Sequence, residues 1–369
     1  MDMIDRRQFM LASAASVGAL AGSLPARAEG VPAGYPADYK AILDKARTEG
    51  VVSVYTSTDD VQGRPIVEAF QKAYPGIRVD YNDLGTNGAY NRIISEAAAK
   101  QVGSDVVWTS AMDLQMVLVQ KGLAEAYKSP EMSHLPGWAN FSDTLYGTTV
   151  EPVGILYNKA QLASLKLPQT RAELLAFMRD NKEALKGKLA TFDPEKSGTG
   201  FLFFSNDART RPDTFELVKA FGATEGKTYG SSGAMREKIV SGEHWLAFNV
   251  IGSYAIEWAA KNPALGYVLT SDYTAAFSRV ANLSKGAPHP NAARLFLDFL
   301  LSAAGQSALA SAGAPSIRTD VTSGLNLTRL GEMAKGNLKP IPVTAALLEA
   351  TEPKNRADFF RRWKEALRG

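Results

Sequence analysis

The chain has 369 residues, 45% of them hydrophobic and 21% charged, which marks an ordinary globular protein and excludes a disordered tail or linker. A formal net charge of +3 is too balanced for a nucleic-acid binder that works through a basic field. The absence of cysteine excludes disulfides, thiolate metal sites and cysteine nucleophiles together, so stability must come from burial, which a chain this long can supply.

The first predicted element is a leader. Asp5-Arg6-Arg7-Gln8-Phe9-Met10 opens an uncharged run over residues 10–24, and Ala26-Arg27-Ala28 follows it. A positive start, an apolar middle and an A-x-A site predict a cleaved export signal over residues 1–28. The Arg pair ahead of Phe resembles the twin-arginine export signal, which implies a bacterial periplasmic destination. The run is too short and too rich in Ala, Gly and Ser to anchor in a bilayer, and no later apolar run approaches a span. Cleavage removes Arg6, Arg7 and Arg27 with Asp2 and Asp5, leaving a mature chain of net charge +2. Its length suits two domains.

Strand, loop and helix then alternate. Residues 51–55 predict a buried strand, 65–73 a helix opening at Pro65, and Tyr74-Pro75-Gly76 its end. Strands at 77–81 and 105–108, with helices at 90–100 and from Met112, continue the pattern of a parallel sheet under covering helices. A second series runs from residue 149. It has a strand at 150–157, a helix capped by Thr170, a strand over Leu189–Phe192, and helices at 200–207, 213–221 and 232–241. A strand at 245–250, a helix at 253–261 and strands at 267–269 and 278–283 follow. Pro290 opens an amphipathic helix with Ala293, Phe296, Leu297, Leu300 and Leu301 as its stripe.

The fold class is therefore α/β. Extended segments near 147–157 and 268–283 predict two crossings between lobes, a hinge, and a cleft at the strand ends. The expected division is 29–148 plus about 273–313 for lobe 1 and 149–272 for lobe 2. Residues 314–369 are expected to pack on the outside, ending in a basic helix.

Familiar chemical motifs are missing. Gly222-Ala223-Thr224-Glu225-Gly226-Lys227-Thr228 has too few residues between its glycines for a nucleotide loop and reads as a helix-ending turn. His134, His244 and His289 lack the i, i+4 partner of a zinc helix, no G-x-S-x-G elbow occurs, and Asp59-Asp60 reads as a solvated loop or cap. What remains is a set of small hydroxyl loops at strand-to-helix junctions. These are Ser57-Thr58, Thr109-Ser110, Ser197-Gly198-Thr199, Ser231-Ser232 and Ser253. Each alone is an ordinary N-cap, but together they predict a cleft whose free N–H and hydroxyl groups hold a small anion.

The ordered set Asp193-Pro194-Glu195-Lys196-Ser197-Gly198-Thr199-Gly200, Ser231-Ser232-Gly233, Ser241-Gly242-Glu243 and Leu300-Leu301-Ser302-Ala303-Ala304-Gly305-Gln306 resembles the ferric-iron, phosphonate and sugar-phosphate branch of periplasmic solute-binding proteins. Tyr74-Pro75-Gly76-Ile77 and Tyr157-Asn158-Lys159 match the same pattern, and the similarity covers roughly residues 51–310. The resemblance implies a type II periplasmic-binding-protein fold of two α/β lobes, each a mixed sheet flanked by helices, closing on a ligand cleft. It implies a non-enzymatic, monomeric carrier without cofactor that delivers an organophosphate, phosphonate or carboxylate to the permease and ATPase of an ABC importer. The implied ligand residues are Ser57, Thr58, Thr109, Ser110, Ser197, Gly198, Thr199, Ser232, Ser253 and Tyr254. Iron-binding members carry two adjacent tyrosines where this chain has Ser253-Tyr254, and one phenolate is a poor donor set for Fe(III). Fe(III) carriage with a synergistic anion, a secreted serine hydrolase and a sensor subunit for a membrane kinase are the alternatives.

Overall fold

The computed structural model describes residues 30–368, so the expected leader, its Arg pair and its cleavage point lie outside the described residues. Two seven-stranded mixed sheets organise the rest. In the first, Val51–Thr56 pairs parallel with Arg78–Asp83 and with Val106–Thr109. Val280–Ser284 then returns antiparallel beside Val106–Thr109 and carries Leu145–Gly147 and Ala124–Glu125 on its far side. Every residue of Val106–Thr109 is buried, as a parallel strand covered on both faces requires.

In the second sheet Glu151–Asn158 is central, antiparallel to Leu246–Ile251, Leu265–Val268 and Thr274–Phe277. Leu246–Ile251 continues in parallel to Leu189–Phe192 and that strand to Lys227–Tyr229. Helices cover both sheets. Phe70, Trp108, Phe296 and Phe299 centre the first core, and Phe192, Phe201, Phe204, Phe221 and Phe248 the second. All five residues of the stripe expected on Pro290–Leu301 are buried.

Several details differ from the sequence expectation. The helix expected to open at Pro65 begins at Asp60, with Pro65 inside it, because Asp59 O accepts from both Gln62 N and Gly63 N and starts the turn earlier. Thr274–Phe277, assigned from sequence to the first lobe, pairs with Glu151–Asn158 of the second sheet, so the chain crosses at Ser278-Arg279. The C-terminal segment adds a strand, Leu338–Pro340, to that same sheet beside Thr274–Phe277. Its last helix, Pro353–Arg368, inserts Phe359 and Trp363 into the second core, with Trp363 4.6 Å from the Phe204 ring and Phe359 5.2 Å from Phe201. Tail residues thus complete the second lobe as well as covering it. Among the described residues no helix is long and apolar enough to cross a membrane.

Residues 222–228 hold a helix end, a turn over 224–226 and the start of strand Lys227–Tyr229. Helix Thr214–Ala223 ends there, and a Cβ on Gly226 would stand 2.1 Å from Phe221 Cε2, which explains the glycine without any phosphate.

Candidate functional site

Between the lobes lies a cleft of about 310 Å³, at the small end of the range for ligand pockets. Ser57, Asp59, Asp83, Thr86 and Ser110 face it from the first lobe. Ser197, Thr199, Ser231, Ser232 and Tyr254 face it from the second. The first-lobe residues stand at or just beyond the C-terminal ends of parallel strands, where the chain turns into a helix and leaves N–H groups unpaired.

The two walls already touch. Ser110 Oγ and Thr199 Oγ1 are 2.8 Å apart, and Ser57 Oγ accepts from Ser110 N at 3.0 Å, so a line of hydroxyls crosses from lobe to lobe. Gly198 N donates to Thr86 Oγ1 at 3.1 Å, and Asn87 Nδ2 donates to Lys196 O at 3.0 Å. Gly198 is where the helix Gly198–Thr210 meets the first lobe: a Cβ there would lie 3.0 Å from Leu114 Cδ1 and 3.1 Å from Thr86 Oγ1. Its lack of a side chain permits the closed contact. Ser197 caps this helix, its Oγ accepting from Gly200 N at 3.2 Å, while the Thr199 N–H has no acceptor among the described residues. Ser231 caps the helix Ser232–Val240 in the same way, with Ala234 N at 3.2 Å.

Under the cleft lies a charged cluster that sequence reasoning missed. Arg279, 1% exposed, sits in the second crossing, and Glu151, fully buried, begins the central strand of the second sheet. Arg279 Nε is 2.8 Å from Glu151 Oε1, out of line for a hydrogen bond, and Nη2 donates to Oε2 at 3.3 Å. The guanidinium also donates to Thr58 Oγ1 of the first lobe at 2.9 Å and to the Tyr254 hydroxyl of the second at 3.0 Å. Ser253 Oγ and Thr149 Oγ1 donate to the two Glu151 oxygens at 2.8 and 2.9 Å. Burial by itself would favour a neutral Arg279, but the Glu151 carboxylate outweighs it and raises the guanidinium above its ordinary range. Burial pushes the Tyr254 phenol well above its usual value, against the pull of Arg279. Thr148 N and Thr148 Oγ1 both donate to Arg279 O, at 2.8 and 2.9 Å, so the two crossings are tied to one another.

Six of the ten residues expected at the site line the cleft: Ser57, Ser110, Ser197, Thr199, Ser232 and Tyr254. The other four are spent elsewhere. Thr58 and Ser253 serve the Arg279–Glu151 cluster, Thr109 Oγ1 donates inward to Gln115 Oε1 at 2.6 Å, and Gly198 packs against the opposite lobe. Asp59, Asp83 and Thr86 were not anticipated. The signal that points to Asp83 and Thr86 is their place at the last residue of the second parallel strand and just after it, at the same sheet edge as Ser57 and Ser110. Among the described residues no group of three or more His, Cys, Asp or Glu is spaced to hold a metal ion.

Residues 65–334 match the family model of bacterial extracellular solute-binding proteins. The chain is 35% identical to the substrate-binding protein of an ABC transporter from Agrobacterium tumefaciens, with a TM-score of 0.82 over 86% of this chain and 94% of that one. It also superposes on AfuA from Actinobacillus pleuropneumoniae, a periplasmic binding protein solved with fructose-6-phosphate (TM-score 0.71, 21% identity, 86% and 98% coverage). A third likeness is to iron-bound HitA from Pseudomonas aeruginosa (TM-score 0.68, 17% identity, 86% and 99% coverage). At these identities the last two show the fold alone. No curated protein matches in sequence.

Proposed function

Because the chain belongs to the bacterial extracellular solute-binding proteins, the type II periplasmic capture subunits of ABC importers, we propose that it closes on a small solute held by an anionic group. The observation that carries this reading is the start of helix Gly198–Thr210. There the Ser197 and Thr199 hydroxyls and an unspent N–H face the interlobe cleft, at the end of the helix where the backbone dipole favours negative charge. Ser57 and Ser110 approach from the opposite wall and Ser232 from a second helix start, while Thr58 and Tyr254 act through Arg279 and Ser253 through Glu151. The leader over residues 1–28 would deliver the protein to the periplasm, where it would work as a monomer without cofactor and without turnover.

Fe(III) cargo is disfavoured by the donor chemistry. A ferric ion needs several anionic oxygens, whereas beside Asp59 and Asp83 the cleft offers only the Tyr254 phenol, which burial keeps from ionising and which accepts from Arg279.

The test pairs affinity with apo stability. Native mass spectrometry of the protein as purified should reveal a retained anionic solute. Against that solute, Ser197→Ala and Thr199→Val should each weaken binding about tenfold or more, as loss of a hydrogen bond to a charged group does. The apo melting temperature should hold. Lost stability of about 1 kcal/mol with unchanged affinity would reduce both residues to helix capping and remove the anion site.

A further inference from the structure

The two walls of the cleft carry opposite character. On the second-lobe wall the groups are donors, namely helix-start N–H groups and hydroxyls. The first-lobe wall carries the Asp59 and Asp83 carboxylates, and among the described residues no Lys, Arg or His lines the cleft to balance them. The nearby cations are committed: Arg279 is matched by Glu151 beneath the floor, and Lys196 lies 3.2 Å from Asp193. Asp59 occupies the N-cap of helix Asp60–Ala73, yet its side chain makes no capping bond. Asp83 accepts one bond, from Gly85 N at 3.2 Å. Both carboxylates therefore retain unspent acceptor capacity toward the cleft.

We propose that the solute is two-ended: its anionic group lies at the second-lobe helix starts, and a cationic donor such as a primary ammonium lies between Asp59 and Asp83. The inference rests on the anion reading of the cleft and adds the opposite pole. A purely anionic solute would bring its charge into a narrow cleft beside two solvent-exposed carboxylates, with only partial dipole charges in return. A hydroxyl would satisfy a lone pair but cancel no charge. An ammonium does both, and the closing of the lobes strengthens its attraction by excluding water. Burial holds the Asp83 carboxyl above its ordinary range, and the charge of Asp59 adds to the shift, so a cation from the solute relieves a repulsion already built into the wall.

Matched probes that differ only in an ammonium for a methyl group test this. Phosphoethanolamine is compared with propyl phosphate, and β-alanine with butyrate, by calorimetry at fixed salt and neutral pH. The phosphate and carboxylate pairs distinguish which anion the helix starts take. In at least one pair the amine member should bind about tenfold tighter or more to the wild-type protein. Asp59→Asn and Asp83→Asn should each shrink that preference while leaving the methyl-ended probe as it was or slightly tighter. Ser197→Ala should weaken both members alike. Melting curves of the variants show that they are folded. Equal affinity within both pairs, or a preference that survives the double Asp59→Asn, Asp83→Asn change, overturns the two-ended solute but leaves the anion site standing. Binding of no probe, together with indifference to Ser197→Ala, overturns the anion reading itself and this inference with it.

Discussion

Arg279 and Glu151 show how much one residue pair can be asked to do. A guanidinium and a carboxylate removed from water lose hydration worth several kcal/mol each, and only close pairing with satisfied hydrogen bonds restores it. Here Thr58, Tyr254, Ser253 and Thr149 supply those bonds, and Thr58 is the one partner from the first lobe. The cluster is thus a pin through the hinge, joining the second crossing to both walls of the cleft. Arg279→Leu should cost about 3–5 kcal/mol in urea unfolding, because it strands the Glu151 charge in a dry interior. Adding Glu151→Leu should recover much of that loss. If the double variant is as unstable as the single one, packing of the arginine stem and not charge pairing dominates the site.

At the scale of elements, the informative contact is between helix Met112–Gln120 and the C-terminal segment. The tail pairs with the second sheet through Leu338–Pro340, then Val343 N donates to Trp138 O of the first lobe at 2.8 Å. The turn Ala345–Thr351 packs on helix Met112–Gln120 before the last helix returns to the second core. The tail therefore straps the two lobes together on the side of the hinge. Under this strap Asp113, 1% exposed, lines a cavity of about 70 Å³ with Arg209, Thr344 and Leu347, and neither of its carboxylate oxygens has a side-chain partner. Burial pushes its pKa up to about 6. The folded state therefore binds this proton more tightly than the unfolded chain, whose aspartates titrate near 3.9. The sign follows. The penalty is absent below about pH 4, grows as the pH rises, and is complete above about pH 6, where it reaches on the order of 3 kcal/mol as an upper bound. Asp298, also raised to about 6 by burial, contributes in the same direction, so the variant that isolates the strap is Asp113→Asn. Its melting temperature should match the wild type near pH 4 and exceed it at pH 8. Parallel melting profiles across that range would show that Asp113 titrates alike in the folded and unfolded chain, so that burial carries no net penalty there.

For the whole molecule, closure is the quantity that matters. Apart from the Thr58–Arg279 bond and the tail strap at the hinge, three bonds, from Ser110, Thr86 and Asn87, hold the walls of the cleft together, and each is a single hydrogen bond at its rim or wall. Such bonds contribute only about 1 kcal/mol apiece, so an apo protein held by them samples open forms readily. A bound solute adds its own free energy to the closed form, about 2.7 kcal/mol at one hundred times Kd. Small-angle scattering should accordingly give a smaller radius of gyration when the retained solute is restored to stripped protein. Gly198→Val provides the control. Its side chain would meet Leu114 and Thr86 across the interface, so it should keep the lobes apart, abolish the compaction and lower affinity at least tenfold while leaving each lobe folded. A scattering profile unchanged by saturating solute in the wild type would count against hinge closure.

What the sequence determined by itself is what local periodicity and capping encode. The alternation of strands with amphipathic helices specified an α/β protein, the stripe on Pro290–Leu301 specified a buried face, and Thr170 capped its helix, accepting from Glu173 N at 3.0 Å. Strand-end hydroxyls marked the region of the cleft, since Ser and Thr at those junctions read the same whether they cap or bind. Which of two adjacent residues faces the cleft was decided by tertiary structure, because neighbours at a strand end point to opposite sides. Ser57 and Ser110 look into the cleft, while Thr58 and Thr109 look inward to Arg279 and Gln115. The Arg279–Glu151 pair joins residues 128 positions apart, and the strand Leu338–Pro340 reaches back to Thr274–Phe277. Neither pairing leaves a periodic trace in the chain, because each partner is chosen by the folded sheet and not by its sequence neighbours. The polarity of the cleft is of the same kind: Asp59 and Asp83 come to face the donors of the second lobe only once two distant strand ends are held side by side and the hinge has closed over them.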